Sequence, residues 1–233
     1  MRRFFLLLCF VCILIGVSPG QKTANNPYGL KIINDTHLYD SLQLADSNMR
    51  MVDLAAYIPG IILDIRYATA DNFTGRKIYD SPRAFVRLPV AKALRNIQSD
   101  LQHQGLGLKI YDAYRPYAAT LLFYETMKDT TYVAAPWKGS RHNRGCAVDL
   151  TLIYSENGQE LVMPTPYDEF SVRANPRYSD LPKKAILNRG LLIRTMQQYG
   201  FSVFPDEWWH FDYTGWEKYP LMDISFEWLE KLH

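Results

Sequence analysis

Ser140-Arg141-His142-Asn143-Arg144-Gly145-Cys146-Ala147-Val148-Asp149 holds a histidine and a carboxylate seven residues apart with a glycine between them. On a helix the two side chains would stand roughly 10 Å apart along the axis, too far to share one ion. A turn brings them together. If Asn143-Arg144-Gly145 reverses the chain, with Gly145 free to take a positive φ, Ala147 to Leu152 can run back as a strand that carries Asp149 towards His142. In Ala147-Val148-Asp149-Leu150-Thr151-Leu152 the period of two puts Ala147, Asp149 and Thr151 on one face and Val148, Leu150 and Leu152 on the other. The carboxylate then points away from the apolar layer, and the pair reads as part of a metal site built on a sheet.

Two protein ligands rarely hold zinc, and Glu207-Trp208-Trp209-His210 is the natural source of a third. Hydrolytic zinc sites keep three protein ligands and leave the fourth position to water, whose pKa falls to about 7. His142, Asp149 and His210 fill three positions. Glu207 stays unligated, close enough to take a proton from the water as general base and pass it to a leaving amine. Trp208, Trp209 and Phe211 read as core aromatics that also form a dry wall around the ion, which strengthens electrostatics there. A lone histidine is more often a surface or core residue than a ligand, but His142 and His210 both sit in Gly-, Asp- and Trp-rich contexts.

These residues carry a resemblance. Ser140-x-His142-x-x-Gly145-x-Ala147-x-Asp149 followed by Glu207-x-Trp209-His210 resembles the paired zinc motifs of the D-alanyl-D-alanine dipeptidases, the VanX-type branch of a zinc peptidase family that also contains D,D-carboxypeptidases. The likeness extends to Tyr67-Ala68-Thr69 with Asp71-Asn72-Phe73-Thr74-Gly75, to Tyr114-Arg115-Pro116, and to Thr165 with Asp168, so it covers Leu54 to the C-terminus. Cys146, where a small hydroxyl residue is expected, and Pro164, where a glycine is usual, depart from the pattern and touch loop shape more than metal. The resemblance implies that Arg115 faces the scissile carbonyl and stabilises the oxyanion, a task that suits a planar, permanently charged fork. It also implies that Asp168, aided by Ser140, receives the ammonium of a free dipeptide.

Met1 to Gly20 reads as a secretory leader: Arg2 and Arg3, an apolar run from Phe4 to Val17, then Ser18 and Gly20 before a cut. The run falls short of the ~20 residues that span a bilayer. Cys9 and Cys12 lie inside it. Loss of the leader takes the formal charge from +2 to 0, which removes any basic footprint for nucleic acid or anionic lipid. It also leaves Cys146 alone, so the exported protein must stand on its core without an intrachain disulfide.

Residues 21–53 read as an extension and 54–233 as one domain. Ile61, Leu63, Ile65 and Tyr67 alternate as a strand, and Pro89 to Gln104 forms a helix with Val90, Leu94, Ile97 and Leu101 on one face. Leu108 to Asp112 is a strand running into Arg115, and Tyr117 to Met127 is a helix. Leu152-Ile153-Tyr154 and Leu161-Val162-Met163 flank a turn as a hairpin, and Pro182 to Tyr199 is a helix. Phe201 to Phe204 and Trp208 to Tyr213 are strands joined by a bend that includes Glu207, with Trp208 and His210 on one face. Strands without regular βα alternation point to α+β, with a mostly antiparallel sheet flanked by helices. The expected function is hydrolysis of the D-Ala-D-Ala dipeptide by one zinc ion per chain. The rivals are a D,D-carboxypeptidase acting on longer wall peptides and a non-catalytic wall-binding module with structural zinc.

Overall fold

The alternation after Gly145 becomes the strand Ala147–Tyr154, the middle strand of a five-stranded sheet. The computed structural model describes residues 26–232; the leader and its two cysteines lie outside them. Across the sheet run Ile62–Leu63, Leu106–Asp112, Ala147–Tyr154, Glu207–Tyr213 and Phe201–Phe204. All neighbours are antiparallel except the first pair, so the fold is α+β as the sequence implies. Register places the chemistry: Asp149 lies opposite Asp112 on one side and His210 on the other. Directly opposed residues of an antiparallel pair bring their Cβ atoms to about 5 Å, so pairing alone delivers two of the three expected ligands to one spot.

His142 comes from the turn that precedes this strand. His142–Arg144 is one turn of 3-10 helix ended by Gly145 at φ 69°. A Cβ on Gly145 would meet Met51 Cε at 2.7 Å, so both the backbone angle and the packing require glycine. The turn is fastened from below by Arg87. Its backbone N–H donates to the Gly145 carbonyl at 2.9 Å and its buried Nε to that of Arg144 at 2.8 Å, while Nη1 donates to the Met49 carbonyl.

The three helices read from the sequence form as Leu88–Gln102, with Pro89 in its first turn and Val90, Leu94, Ile97 and Leu101 buried, Tyr117–Thr126 and Lys183–Gln198. Two readings change. The expected strand from Ile61 to Tyr67 pairs only at Ile62–Leu63 and then winds into a 3-10 turn over Arg66–Ala68. The carbonyl of Tyr67 accepts from Ile78 and Tyr79 instead of from a sheet neighbour. The expected hairpin is short: Gly158 N–H donates to Tyr154, Tyr154 N–H to Gln159 and Leu161 N–H to Leu152, around a single bridge between Ile153 and Glu160. Pro164 and Pro166, which have no N–H to donate, follow at once and end the ladder.

The described part of the extension is tied down at several points. Ile32–Ile33 pairs in parallel with Leu221–Met222, and buried Tyr39, in the helix Thr36–Ala45, accepts the Met51 N–H at 2.7 Å. Cys146 is buried as a free thiol, its pKa pushed up to about 12 by burial. No helix among the described residues is long and apolar enough to cross a membrane.

Candidate functional site

His142, Asp149 and His210 converge, all buried, with one possible ligand atom from each lying within 4.8 Å of the others. Their hydrogen bonds decide which atoms face inward. His142 Nδ1 is 2.6 Å from the Ala113 carbonyl, an acceptor only, so this nitrogen carries the proton and Nε2 is bare. His210 Nε2 is 3.0 Å from Asp212 Oδ1, so it donates there and Nδ1 is bare. The two bare nitrogens stand 3.1 Å apart. Asp149 Oδ1 lies 3.0 Å from His210 Nδ1 and 3.4 Å from His142 Nε2 and, with both of those nitrogens bare, accepts no hydrogen bond among the described residues.

Three lone-pair donors aimed at one point inside a protein demand a positive charge between them. A divalent ion fits the set, which has two imidazoles and one carboxylate and is braced from outside by a carbonyl and a second carboxylate. The same field shows in the titration of its members. Burial alone would raise Asp149, but His142 and His210 pull it well below the carboxylate range. Burial alone would lower His210, but Asp212 and Asp149 outweigh it and raise it to about 10, so a proton competes with a metal ion for Nδ1, which is bare only when an ion takes the proton's place.

Glu207 differs from its expected place. It begins the strand Glu207–Tyr213, directly opposite Phe204 across the two-residue link Pro205-Asp206. In a regular pleat, residues three apart face opposite sides. Here the register jumps between Val203 and Phe204, which are paired with Phe211 and Glu207. This irregularity breaks the period and lets Glu207 and His210 line the same cavity. It also exchanges the tryptophans. Trp209 lines the cavity with His210, while Trp208 is buried and donates to Thr165 Oγ1 at 2.9 Å. The Glu207 carboxylate is 3.9 Å from His210 Nδ1 and accepts no hydrogen bond among the described residues. Burial pushes its carboxyl up to about 8; His210 opposes the rise, and Asp149 and Asp168 add to it.

Arg115 stands where the strand Leu106–Asp112 hands over to the helix Tyr117–Thr126. Nε and Nη2 both donate to Asp112 Oδ2, at 3.1 and 2.7 Å, and the guanidinium lies over Phe123 at 4.6 Å and Tyr67 at 5.5 Å. Asp112 is saturated, its other oxygen accepting from Tyr79 and from Ala113 N–H. Arg115 is thus locked at the cavity wall with Nη1 uncommitted.

Asp168 is half-buried and is the one non-glycine residue at positive φ, 59°, among the described residues. Aspartate tolerates that conformation better than most residues. It accepts from the Tyr67 hydroxyl at 3.0 and 3.2 Å, and burial raises its pKa to about 8, with Asp149 adding to the rise. Ser140 lines the same cavity, and its Oγ accepts the His142 N–H at 3.2 Å, which leaves its own proton free to donate.

Three supporting residues escaped the sequence reading. Asp212 could have been found, because His210-x-Asp212 in a strand puts both on one face. Asp112 ends the strand just before Arg115, but its role needed the fold. Tyr167, whose hydroxyl donates to Asp149 Oδ2 at 2.9 Å and so turns Oδ1 inward, offered only its place beside Asp168.

The cavity lined by His142, Asp149, His210, Glu207, Arg115 and Asp168 is about 400 Å³. Against this geometry, residues 47–227 match the family model of peptidase M15, described as D-ala-D-ala dipeptidase. A D-alanyl-D-alanine dipeptidase of Escherichia coli (strain K12) is 39% identical over 176 residues, 76% of this chain and 91% of that protein. One of Enterococcus faecalis is 29% identical over 187 residues, 72% and 92% of the two chains. Among solved structures, a mutant of the vancomycin resistance D,D-pentapeptidase VanY in complex with Zn(II) is similar at 15% identity over 57% of this chain and 75% of that one, with a TM-score of 0.39.

Proposed function

Because this chain belongs to the peptidase M15 family of D-Ala-D-Ala dipeptidases, we propose that it hydrolyses the free dipeptide D-Ala-D-Ala with one zinc ion held by His142, Asp149 and His210. The observation that carries the proposal is the convergence of two imidazole nitrogens and Asp149 Oδ1 beside Glu207, whose carboxylate accepts no hydrogen bond among the described residues. Zinc in that place supplies a Lewis acid and brings the pKa of water towards neutrality.

The side chains do the rest. Glu207, whose carboxyl burial lifts to about 8 and a neighbouring cation would bring back down, takes the proton of the attacking water and returns it to the leaving amine. Arg115, fixed by Asp112 and two aromatic faces, turns its free Nη1 to the carbonyl oxygen as negative charge develops. Tyr167 and Asp212 hold Asp149 and His210 in the orientations described above. Asp212→Ala should therefore weaken zinc binding about ten- to a hundredfold while every ligand atom is kept. Competition with a chromogenic chelator measures this, and wild-type affinity in the variant would remove Asp212 from the site's support.

Asp168 selects the dipeptide. Burial raises its pKa and Asp149 adds to the rise, so its carboxylate lacks a close counter-charge, which a substrate ammonium supplies. Ser140 adds a hydroxyl to the same cavity. A longer peptide presents a neutral amide there instead. A charged hydrogen bond is worth about 1.5 to 3 kcal/mol, so the loss is about ten- to a hundredfold. Asp168→Asn should depress kcat/KM for D-Ala-D-Ala and narrow its advantage over the N-acetylated dipeptide at unchanged zinc content. Wild-type enzyme cleaving both dipeptides equally fast would favour the D,D-carboxypeptidase reading. A wall-binding module with structural zinc accounts for neither the three-donor set nor Glu207. The leader read in Met1 to Gly20 leads us to place the enzyme outside the cytoplasm, periplasmic or extracellular, in cell-wall peptide metabolism.

A further inference from the structure

The cavity has two electrically opposite walls. On one, Asp168 and Tyr67 sit among Phe73, Phe123 and Phe170. On the other, Arg141 lies over Trp216 at 5.0 Å and Phe204 at 5.9 Å, and Phe204 packs against His210 at 5.2 Å. The ligand triad touches both: Asp149 through Tyr167, which reaches Tyr67, and His210 through its packing on Phe204. Of the other cavity arginines, Arg115 is held by Asp112 and assigned to the scissile carbonyl, and Arg144 donates to the Tyr219 carbonyl. Arg141 makes one polar contact, from Nε to Asp212 Oδ2 at 3.6 Å, so both of its Nη groups are without partners among the described residues. Two aromatic rings hold this half-exposed cation at the rim, which lowers the entropy cost of fixing it on a ligand.

We propose that Arg141 captures the C-terminal carboxylate of the substrate, so that the dipeptide lies as a zwitterion between Asp168 and Arg141 with its peptide carbonyl at the ligand triad. The assignment rests on the dipeptidase reading. A forked contact to a carboxylate is charge-assisted and directional, and its partial exposure sets its worth at about tenfold rather than a hundredfold.

The test compares kcat/KM of the zinc-loaded enzyme for D-Ala-D-Ala and for D-alanyl-D-alaninamide, which differ in the terminal charge. Wild type should prefer the acid by about tenfold or more. In Arg141→Met, which keeps an unbranched side chain between the two rings, the acid-to-amide ratio should fall by about that factor, and Arg141→Lys should retain part of it. An unaltered ratio in Arg141→Met overturns the proposal. Equal loss on both substrates also overturns it, because that is the mark of an effect relayed through Asp212 and His210. Wild type cleaving neither substrate would sink the dipeptidase reading and this assignment with it, whereas cleavage with an unaltered ratio sinks the assignment alone.

Discussion

Glu207→Ala enzyme should keep its zinc and its fold and lose kcat towards D-Ala-D-Ala by about 10² to 10⁴-fold, the usual worth of acid-base catalysis. The carboxylate is free to act because no donor among the described residues occupies it, and it sits 3.9 Å from His210 Nδ1, beside the candidate metal position and outside the ligand set. Removing it takes no atom from that set, so metal content should stay at one per chain. A proton shuttle works only as bonds rearrange. Its loss should therefore lower kcat and kcat/KM alike. Glu207→Gln separates shape from basicity, since it fills the same space and cannot take a proton. Steady-state kinetics beside metal analysis decides the matter, and near wild-type kcat in either variant would mean that another group carries the proton.

What the sequence made legible was local. The period of two after Gly145 placed Asp149 on its face, and the proline-led, apolar-striped helix after Arg87 appeared within two residues of its expected ends. What escaped depended on partners distant in the chain. Nothing in Ile61 to Tyr67 told that the sheet would abandon the segment after two residues, because the competing donors belong to Ile78 and Tyr79. The alternation rule put His210 and Trp208 together, whereas the register jump across Pro205-Asp206 turned Glu207 and Trp209 to the cavity. Metal-site residues were readable because their chemistry restricts them to few types. Their supports were harder to read. Ala113 acts through a backbone carbonyl, which no side chain announces, and Tyr167 reaches Asp149 from 18 residues away.

Removing both imidazoles should have the widest effect of all. The His142→Ala/His210→Ala double mutant is expected to bind zinc far below one equivalent, to lose measurable dipeptidase activity, and to lose the stabilisation that zinc gives the wild type. In the wild type the ion meets two bare nitrogens and a carboxylate already aimed at one point by Ala113, Asp212 and Tyr167, so little ordering remains to oppose binding. Without the imidazoles Asp149 is the only ligand of the set left, and one carboxylate does not retain zinc against water. Because a preorganised site binds the ion in the folded state, free zinc at 1,000 times its Kd should stabilise wild type by about 4 kcal/mol. That increment should vanish in the double mutant. It is measured as the zinc-dependent shift of the urea midpoint, a readout that needs no turnover. The substitutions also relieve the wild-type apoprotein's burden of crowding two imidazoles at 3.1 Å. The metal-free double mutant should accordingly fold, which keeps the comparison valid. Stoichiometric zinc in the double mutant, or a zinc-dependent midpoint shift equal to that of wild type, would show that the ion is held elsewhere.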